Sequence, residues 1–459
     1  MTNVAKIIFT HDKMIQANEQ VRNFVENTPS SYVTTILAEE LVVVMKENDS
    51  ASYEDMRMTA GSIARELGKR NIDTASIEMK QLTSTFSNLE AESVVTAFVE
   101  GWNLGTYTFQ KYKTDAKNLS TTLQVTDQEA HSSFVQTGVH RAEAIAFSRD
   151  LMNEIPSTLN PKSFPEILTN EFKDTSVEVN VLDKTAIEEM EMNGVLTVCR
   201  GSKYDPAFVE LTYRGDESKP LVALVGKGVT FDTGGISLKK GKDISSMRMD
   251  MGGAAAVSGA MKLLASSSAK VNVVALIPIV ENMPDANAVL PGEVIHYKNG
   301  STVQVGNTDA EGRLILADGL IRAGEKGAEY VVDIATLTGS IWNALGTKLA
   351  GVFGDEALAF KMKEIGDTNG DYNWPMPLVD AYDDYLNSDF ADFSNTSSKT
   401  EAGSITASLF LRRFVPEACK WLHVDMAGVM MSQEKGYYSK AATGFGARLL
   451  ADFTEHVSS

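Results

Sequence analysis

The chain has 459 residues, of which 43% are hydrophobic and 22% charged, and its 61 acidic against 42 basic side chains give a formal charge of −19. That length exceeds one ordinary hydrophobic core and predicts two domains, while the composition excludes a largely disordered chain. The acidity repels phosphate backbones, which makes nucleic acid a poor fit as a partner, and Cys199 and Cys419, the only cysteines, exclude a disulfide framework or a thiolate metal cluster.

From the N-terminus, the apolar start of the chain is interrupted at Thr10, His11, Asp12 and Lys13 before a signal-peptide core could form. No apolar run reaches the ~18 residues that a bilayer span requires. A cytoplasmic protein with no membrane attachment is expected. Residues 1–140 read as a small α/β domain: Tyr32–Ile36 and Leu41–Val44 are β-rich, and Tyr53–Leu67 has helical character. This region holds no catalytic constellation, and its role is unassigned. Ala142–Asn153 has helical periodicity and is followed by Pro156 and Pro161, so 141–160 is expected to be a connecting helix and linker.

Residues 161–459 alternate strand and helix. Leu221–Val225, Val271–Ile277, Tyr330–Ile334 and Trp421–Asp425 read as strands, and Ala254–Ala265, Arg313–Ala323 and Ile405–Val415 as helices. The fold class is therefore α/β: a small N-terminal α/β domain, then a larger catalytic domain with a mostly parallel central sheet covered by helices. Functional groups in such sheets lie beyond the carboxyl ends of the strands.

Three segments there concentrate polar chemistry. Gly226–Lys239 leaves a buried strand and supplies Lys227, Asp232 and Lys239 among four glycines. An ordinary glycine-rich loop would look similar. A phosphate loop would not, because Gly228 follows Lys227 where Ser or Thr is needed. In Met247–Val257, Asp250 precedes two glycines and an alanine-rich helix, a pattern that also suits a simple helix cap. In Asn307–Leu314, the spacing puts Asp309, Glu311 and Arg313 on one side of an extended segment, although a polar turn capping the next helix would use the same residue types.

Together the segments bring four carboxylates and two lysines to strand ends. Four carboxylates in one cleft cannot all stay ionised without counter-charge, and two divalent cations would supply it. Oxygen-rich ligation suits Mg²⁺ or Mn²⁺ and, with a nitrogen ligand, Zn²⁺. The six histidines form no His-Glu-x-x-His motif, and His423, within an apolar strand, reads as a structural residue.

These blocks resemble the signatures of the leucyl aminopeptidase (cytosol aminopeptidase) family of dinuclear metallopeptidases. Asn307-Thr-Asp-Ala-Glu-Gly-Arg-Leu314 matches that family's hallmark octapeptide. Further matches are Glu281–Pro284, Ala335–Gly339, Asn395, Ala402–Ala407 and Trp421–Gly428, so the resemblance covers Arg141 to Arg448 and leaves the first 140 residues without a defensible match. The resemblance implies that Asp232 and Glu311 bridge two metal ions, Zn²⁺ or Mn²⁺, that Lys227 and Asp250 complete one site, and that Asp309 completes the other. It implies release of N-terminal residues from peptides by attack of a metal-bridging hydroxide, with Lys239 stabilising the carbonyl oxygen and Arg313 holding a bicarbonate that acts as base. The side-chain pocket would comprise Met247, Asn307, Ala310, Thr336, Leu337 and Ala427, accepting apolar residues such as leucine or methionine. Peptides with a free N-terminus are the implied substrates, and a homohexamer the implied assembly.

Thr233 and Arg248 stand where many members have Ser and Lys, and Ala442–Gly446 matches the family's C-terminal glycine block only loosely. These differences bear on pocket shape and preferred residue. The competing readings are an acidic-surface regulatory or DNA-binding protein on a peptidase fold, which the charge disfavours, and a phosphoesterase, which retention of Lys227, Lys239 and Arg313 disfavours.

Overall fold

In the computed structural model, which describes residues 3–116, 120–241 and 243–459, the β-branched runs near the N-terminus become strands. β1 (Val4–Phe9), β2 (Tyr32–Leu37), β3 (Glu40–Met45), β4 (Thr74–Ile77) and β5 (Thr122–Val125) form a sheet in the order β2-β3-β1-β4-β5, antiparallel only between β2 and β3. Its central strands are apolar on both faces. Ile7, Phe9 and Val43 pack with Ile63, Leu67, Phe98 and Trp102 of the helices Tyr53–Lys69 and Ala91–Thr106, while Ile8, Val42 and Val44 pack with Ile15 and Val25. The first of those helices starts where Ser52 and Asp55 cap each other's backbone N–H reciprocally.

This unit runs to Ala146 and also takes in Ser432–Ala441; the second unit comprises Phe147–Met431 and Ala442–Ser459. The division falls inside one long helix, Gln128–Asn153, which begins well before the periodicity that the sequence shows from Ala142. Ser432–Ala441, assigned from sequence to the larger domain, clusters instead with the smaller one. Gly61 makes this possible, since any Cβ there would stand 2.6 Å from the Tyr437 backbone, and the Tyr437 hydroxyl donates to Glu54 Oε1 at 3.0 Å.

In the second unit the strands are β6 (Glu178–Leu182), β7 (Ala207–Arg214), β8 (Leu221–Gly226), β9 (Gly228–Asp232), β10 (Asn272–Asn282), β11 (Val294–His296), β12 (Thr302–Gln304), β13 (Tyr330–Ala335), β14 (Ala350–Gly354), β15 (Asn373–Pro375), β16 (Phe393–Ser394) and β17 (Lys420–Asp425). The main sheet has nine strands in the order β15-β14-β17-β13-β8-β10-β7-β6, with β9 beside β10. Its centre, β17-β13-β8-β10, is parallel, and antiparallel pairs occur only at β14–β17, β10–β7 and β7–β6. The apolar runs 222–225, 273–277 and 331–332 are buried because helices cover the sheet, among them Gly252–Ser266, Gly312–Glu325 and Gly403–Arg412. No helix among the described residues is long and apolar enough to cross a membrane.

Two features position the site. The parallel strands β8, β13 and β17 end level with one another, at Gly226, Ala335 and Asp425, while β10 runs on beside β9 to Asn282. A small sheet, β11-β12-β16, then pairs Gln304 with Ser394 and so sets Asn395 beside the residues that follow β12.

Candidate metal centre

Lys227 lies between β8 and β9, in a chain that continues as strand through Asp232 where the sequence suggests only a glycine-rich loop. Its ammonium is buried and meets Asp250 Oδ2 at 2.7 Å, Glu311 Oε1 at 3.0 Å and the Thr336 carbonyl at 3.0 Å. Lys239 reaches Asp232 Oδ2 at 2.6 Å and Asp309 Oδ1 at 2.5 Å. Asp232 Oδ1 accepts from the Gly234 N–H at 2.8 Å and from Asn282 Nδ2 at 2.9 Å. The six charged groups thus form one cluster at the carboxyl ends of the parallel strands.

Local geometry departs from the sequence reading at two points. Asp309 and Glu311 do not lie on an extended segment: the Asn307 side chain accepts the Asp309 N–H at 2.9 Å, its carbonyl accepts from Ala310, and Glu311 has helical backbone angles just before Gly312–Glu325. The turn closes because asparagine bonds its own backbone two residues on. The two carboxylates still converge, with one oxygen each from Asp232, Asp309 and Glu311 mutually within 4.8 Å. Asp250, for its part, is not the N-cap of the helix that follows it. The helix Gly252–Ser266 has Met251 at its N-cap, and the Asp250 carboxylate turns to Lys227 and to the Thr336 hydroxyl at 2.8 Å.

The electrostatics expose an imbalance. Burial pushes the Asp250 carboxyl up to about 6, and burial with the neighbouring Glu311 and Asp250 charges pushes Asp232 well above the carboxylate range. Burial also raises Asp309. Glu311 alone is lowered, because Lys227 and Lys239 outweigh its burial. Burial pulls Lys227 down, but Asp250, Glu311 and Asp232 more than compensate and raise it. Four carboxylates facing two ammonium groups leave two negative charges in excess, and the protein accommodates them by driving carboxyls toward protonation. Divalent cations would relieve the strain directly, and the donor set of carboxylate oxygens with one amine suits them.

Arg313 is buried beside this cluster. Its Nη1 donates to the Asn395 carbonyl at 2.8 Å, while Nε has no hydrogen-bond partner. Burial lowers the guanidinium to about 10, leaving it charged at neutral pH. An unmet buried N–H on a charged fork is a ready contact for a planar anion.

The pocket residues inferred from sequence are partly gathered here. Thr336 bonds the Asp250 carboxylate, Asn307 and Ala310 belong to the turn that carries Asp309, and Leu337 and Ala427 share one acceptor, Asp425. Met247 sits in the 3₁₀ turn Ser245–Met249 leading to Asp250, with no described contact to the cluster. His423 is fully buried, with Nδ1 2.5 Å from Asp333 Oδ1, but its Nε2 has no partner, so it is only half satisfied.

Three residues that the sequence gives no role hold the site together. Asn282 bonds Asp232 and the Thr308 carbonyl. Asn395 accepts from Gly306 at 2.8 Å and donates to the Asn307 carbonyl at 2.8 Å. Thr308 stitches the hallmark loop to the first segment, donating to the Gly234 carbonyl at 2.6 Å and accepting from the Ser237 N–H at 2.8 Å. Asn282 and Asn395 stand in motif blocks, but only tertiary pairing shows what they touch.

The chain also matches known proteins along most of its length. The catalytic-domain model of the cytosol aminopeptidase family matches residues 146–451, and the N-terminal-domain model of the same family matches 35–116, a region where motif reading finds nothing. A probable cytosol aminopeptidase of Mycobacterium ulcerans (strain Agy99) is 38% identical over 457 residues, covering 96% of this chain and 85% of the relative. One from Rhodopseudomonas palustris (strain ATCC BAA-98 / CGA009) is 39% identical over 423 residues, covering 89% and 83%. Among solved structures, the bottromycin maturation enzyme BotP in complex with Mn is similar with a TM-score of 0.88 and 29% identity, covering all of both chains.

Proposed function

The chain belongs to the cytosol aminopeptidase family and is a metal-dependent aminopeptidase, and from that premise we propose which residues hold the metals and which do the chemistry. Lys227, Asp232, Asp250, Asp309 and Glu311 would hold two divalent cations, Zn²⁺ or Mn²⁺. The observation that carries this reading is the convergence of these carboxylates around a buried lysine, with excess negative charge that the protein's own cations leave unbalanced. Lys227 must be neutral to serve as a ligand, and two adjacent dications would displace its proton.

Cations bound there supply Lewis acidity, a water of lowered pKa, and an anchor for a free α-amine that an acylated terminus lacks. The protein's own groups do the rest. Lys239, on the more open side of the cluster with its side chain 22% exposed, donates to the carbonyl oxygen as charge develops on it. Arg313, held at one end by the Asn395 carbonyl and free at Nε, would hold a bicarbonate, which would supply a proton acceptor there. Met247, Asn307, Ala310, Thr336, Leu337 and Ala427 line the pocket for an apolar N-terminal side chain, leucine or methionine. A cytoplasmic homohexamer acting on peptides with a free N-terminus belongs to the same proposal and rests on the family resemblance.

The test is a paired assay with Mn²⁺ or Zn²⁺: leucine anilides and unblocked peptides should be cleaved, their N-acetylated counterparts spared, and chelator should abolish turnover. Equal cleavage of blocked and free peptides would overturn the proposal.

A further inference from the structure

β17 ends in Asp425, whose carboxylate is completely buried. Oδ1 accepts from the N–H groups of Leu337 at 3.2 Å, Thr338 at 3.4 Å and Ala427 at 3.3 Å, and Oδ2 accepts from the Thr338 hydroxyl at 2.6 Å. The same Thr338 oxygen accepts the Ile341 N–H at 3.1 Å and so caps the helix Gly339–Leu345. Every one of these donors comes from the loops that follow β13 and β17. A buried carboxylate is costly unless its lone pairs are met, and here the groups that meet them are loop backbone and one hydroxyl.

Both loops carry residues of the proposed pocket. One begins with Thr336, whose hydroxyl donates to Asp250 Oδ1 at 2.8 Å and whose carbonyl accepts from Lys227. The other carries Ala427. Beneath Asp425, the neighbouring pair on the same two strands is also locked: Asp333 is opposite His423 in register, bonds it, and accepts from Trp421 Nε1 at 2.7 Å. Asp425 therefore joins a rigid strand end to both loops at once.

We propose that Asp425 is a positioning residue that sets selectivity for the N-terminal side chain by fixing Leu337 and Ala427 relative to each other. The inference rests on the aminopeptidase reading of the site. It is tested by steady-state kinetics on free dipeptides beginning with Leu, Met, Phe or Ala, for the wild type, Asp425→Asn, Thr338→Val and Thr338→Ser, with metal content measured in parallel. Asp425→Asn and Thr338→Val should raise KM for Leu and Met substrates about tenfold and narrow the Leu-to-Ala ratio of kcat/KM, with metal content unchanged, whereas Thr338→Ser should keep the wild-type pattern. A uniform fall in kcat/KM across all four N-terminal residues, or loss of metal, would make Asp425 a structural brace and overturn the proposal. If Asp425→Asn does not fold, the Thr338→Val and Thr338→Ser pair decides by the same criteria. A wild type inactive on the whole panel removes the aminopeptidase reading and this inference with it; an active wild type whose variants keep its selectivity removes this inference alone.

Discussion

Lys227 runs directly across Gly312: a Cβ at residue 312 would stand 2.5 Å from Lys227 Cε and 2.8 Å from its Nζ. The glycine of the hallmark loop is thus a space for the proposed lysine ligand. Gly312→Ala must either push Lys227 off Asp250 and Glu311 or shift the start of the helix Gly312–Glu325. Overpacking of this kind costs about 1–3 kcal/mol. Metal affinity, measured by Mn²⁺ titration, should fall at least about tenfold, since ~1.4 kcal/mol is a factor of ten.

Lys239 and Asp309 touch each other yet should behave differently on removal. Lys239→Ala takes away an ammonium that competes with cations for Asp232 and Asp309, so metal content should stay equal or rise. The variant should nonetheless lose roughly 10²–10³ in kcat, the usual effect of deleting a donor to a developing oxyanion. Metal analysis alongside kcat on a leucine anilide separates the two effects.

Glu210 offers a stability prediction away from the site. On β7, it accepts from Arg322 Nε at 2.7 Å, Lys326 Nζ at 2.7 Å and Asn180 Nδ2 at 3.2 Å. Burial alone would raise its carboxyl, but these partners outweigh burial and hold it below its ordinary value of 4.5. A carboxyl depressed in the folded state contributes its stability fully above the unfolded value and loses it as pH falls through the folded value. Glu210→Gln should therefore cost about 1–3 kcal/mol at neutral pH, and the gap in Tm between variant and wild type should close as pH drops below 4.5.

Much of the site was readable from the chain because its residues are crowded into short blocks. Asn307–Leu314 alone holds two carboxylates and the arginine, and charge balance among the blocks already calls for divalent cations. What could not be read is whatever depends on distant strands meeting. Spacing suggests an extended Asp309–Glu311, because alternation is the simplest way to co-orient residues two apart, but the Asn307 side chain closes a turn instead. Asp250 looks like a helix cap until Lys227 and Thr336, 23 and 86 residues away, are set against it. Asp425 lies in a recognisable block, yet its role depends on Leu337 and Thr338 arriving from another strand. Ser432–Ala441 carries no sequence mark of joining the smaller unit, since the space it enters is made by Gly61.

The central claim, that Lys227, Asp232, Asp250, Asp309 and Glu311 hold two divalent cations, is tested most directly by counting them. Protein equilibrated with Mn²⁺ and freed of excess metal should carry two ions per chain in the wild type, and Asp309→Ala and Asp250→Ala should each retain one or none while remaining folded. Two ions retained in both variants, or none in the wild type, would contradict the assignment.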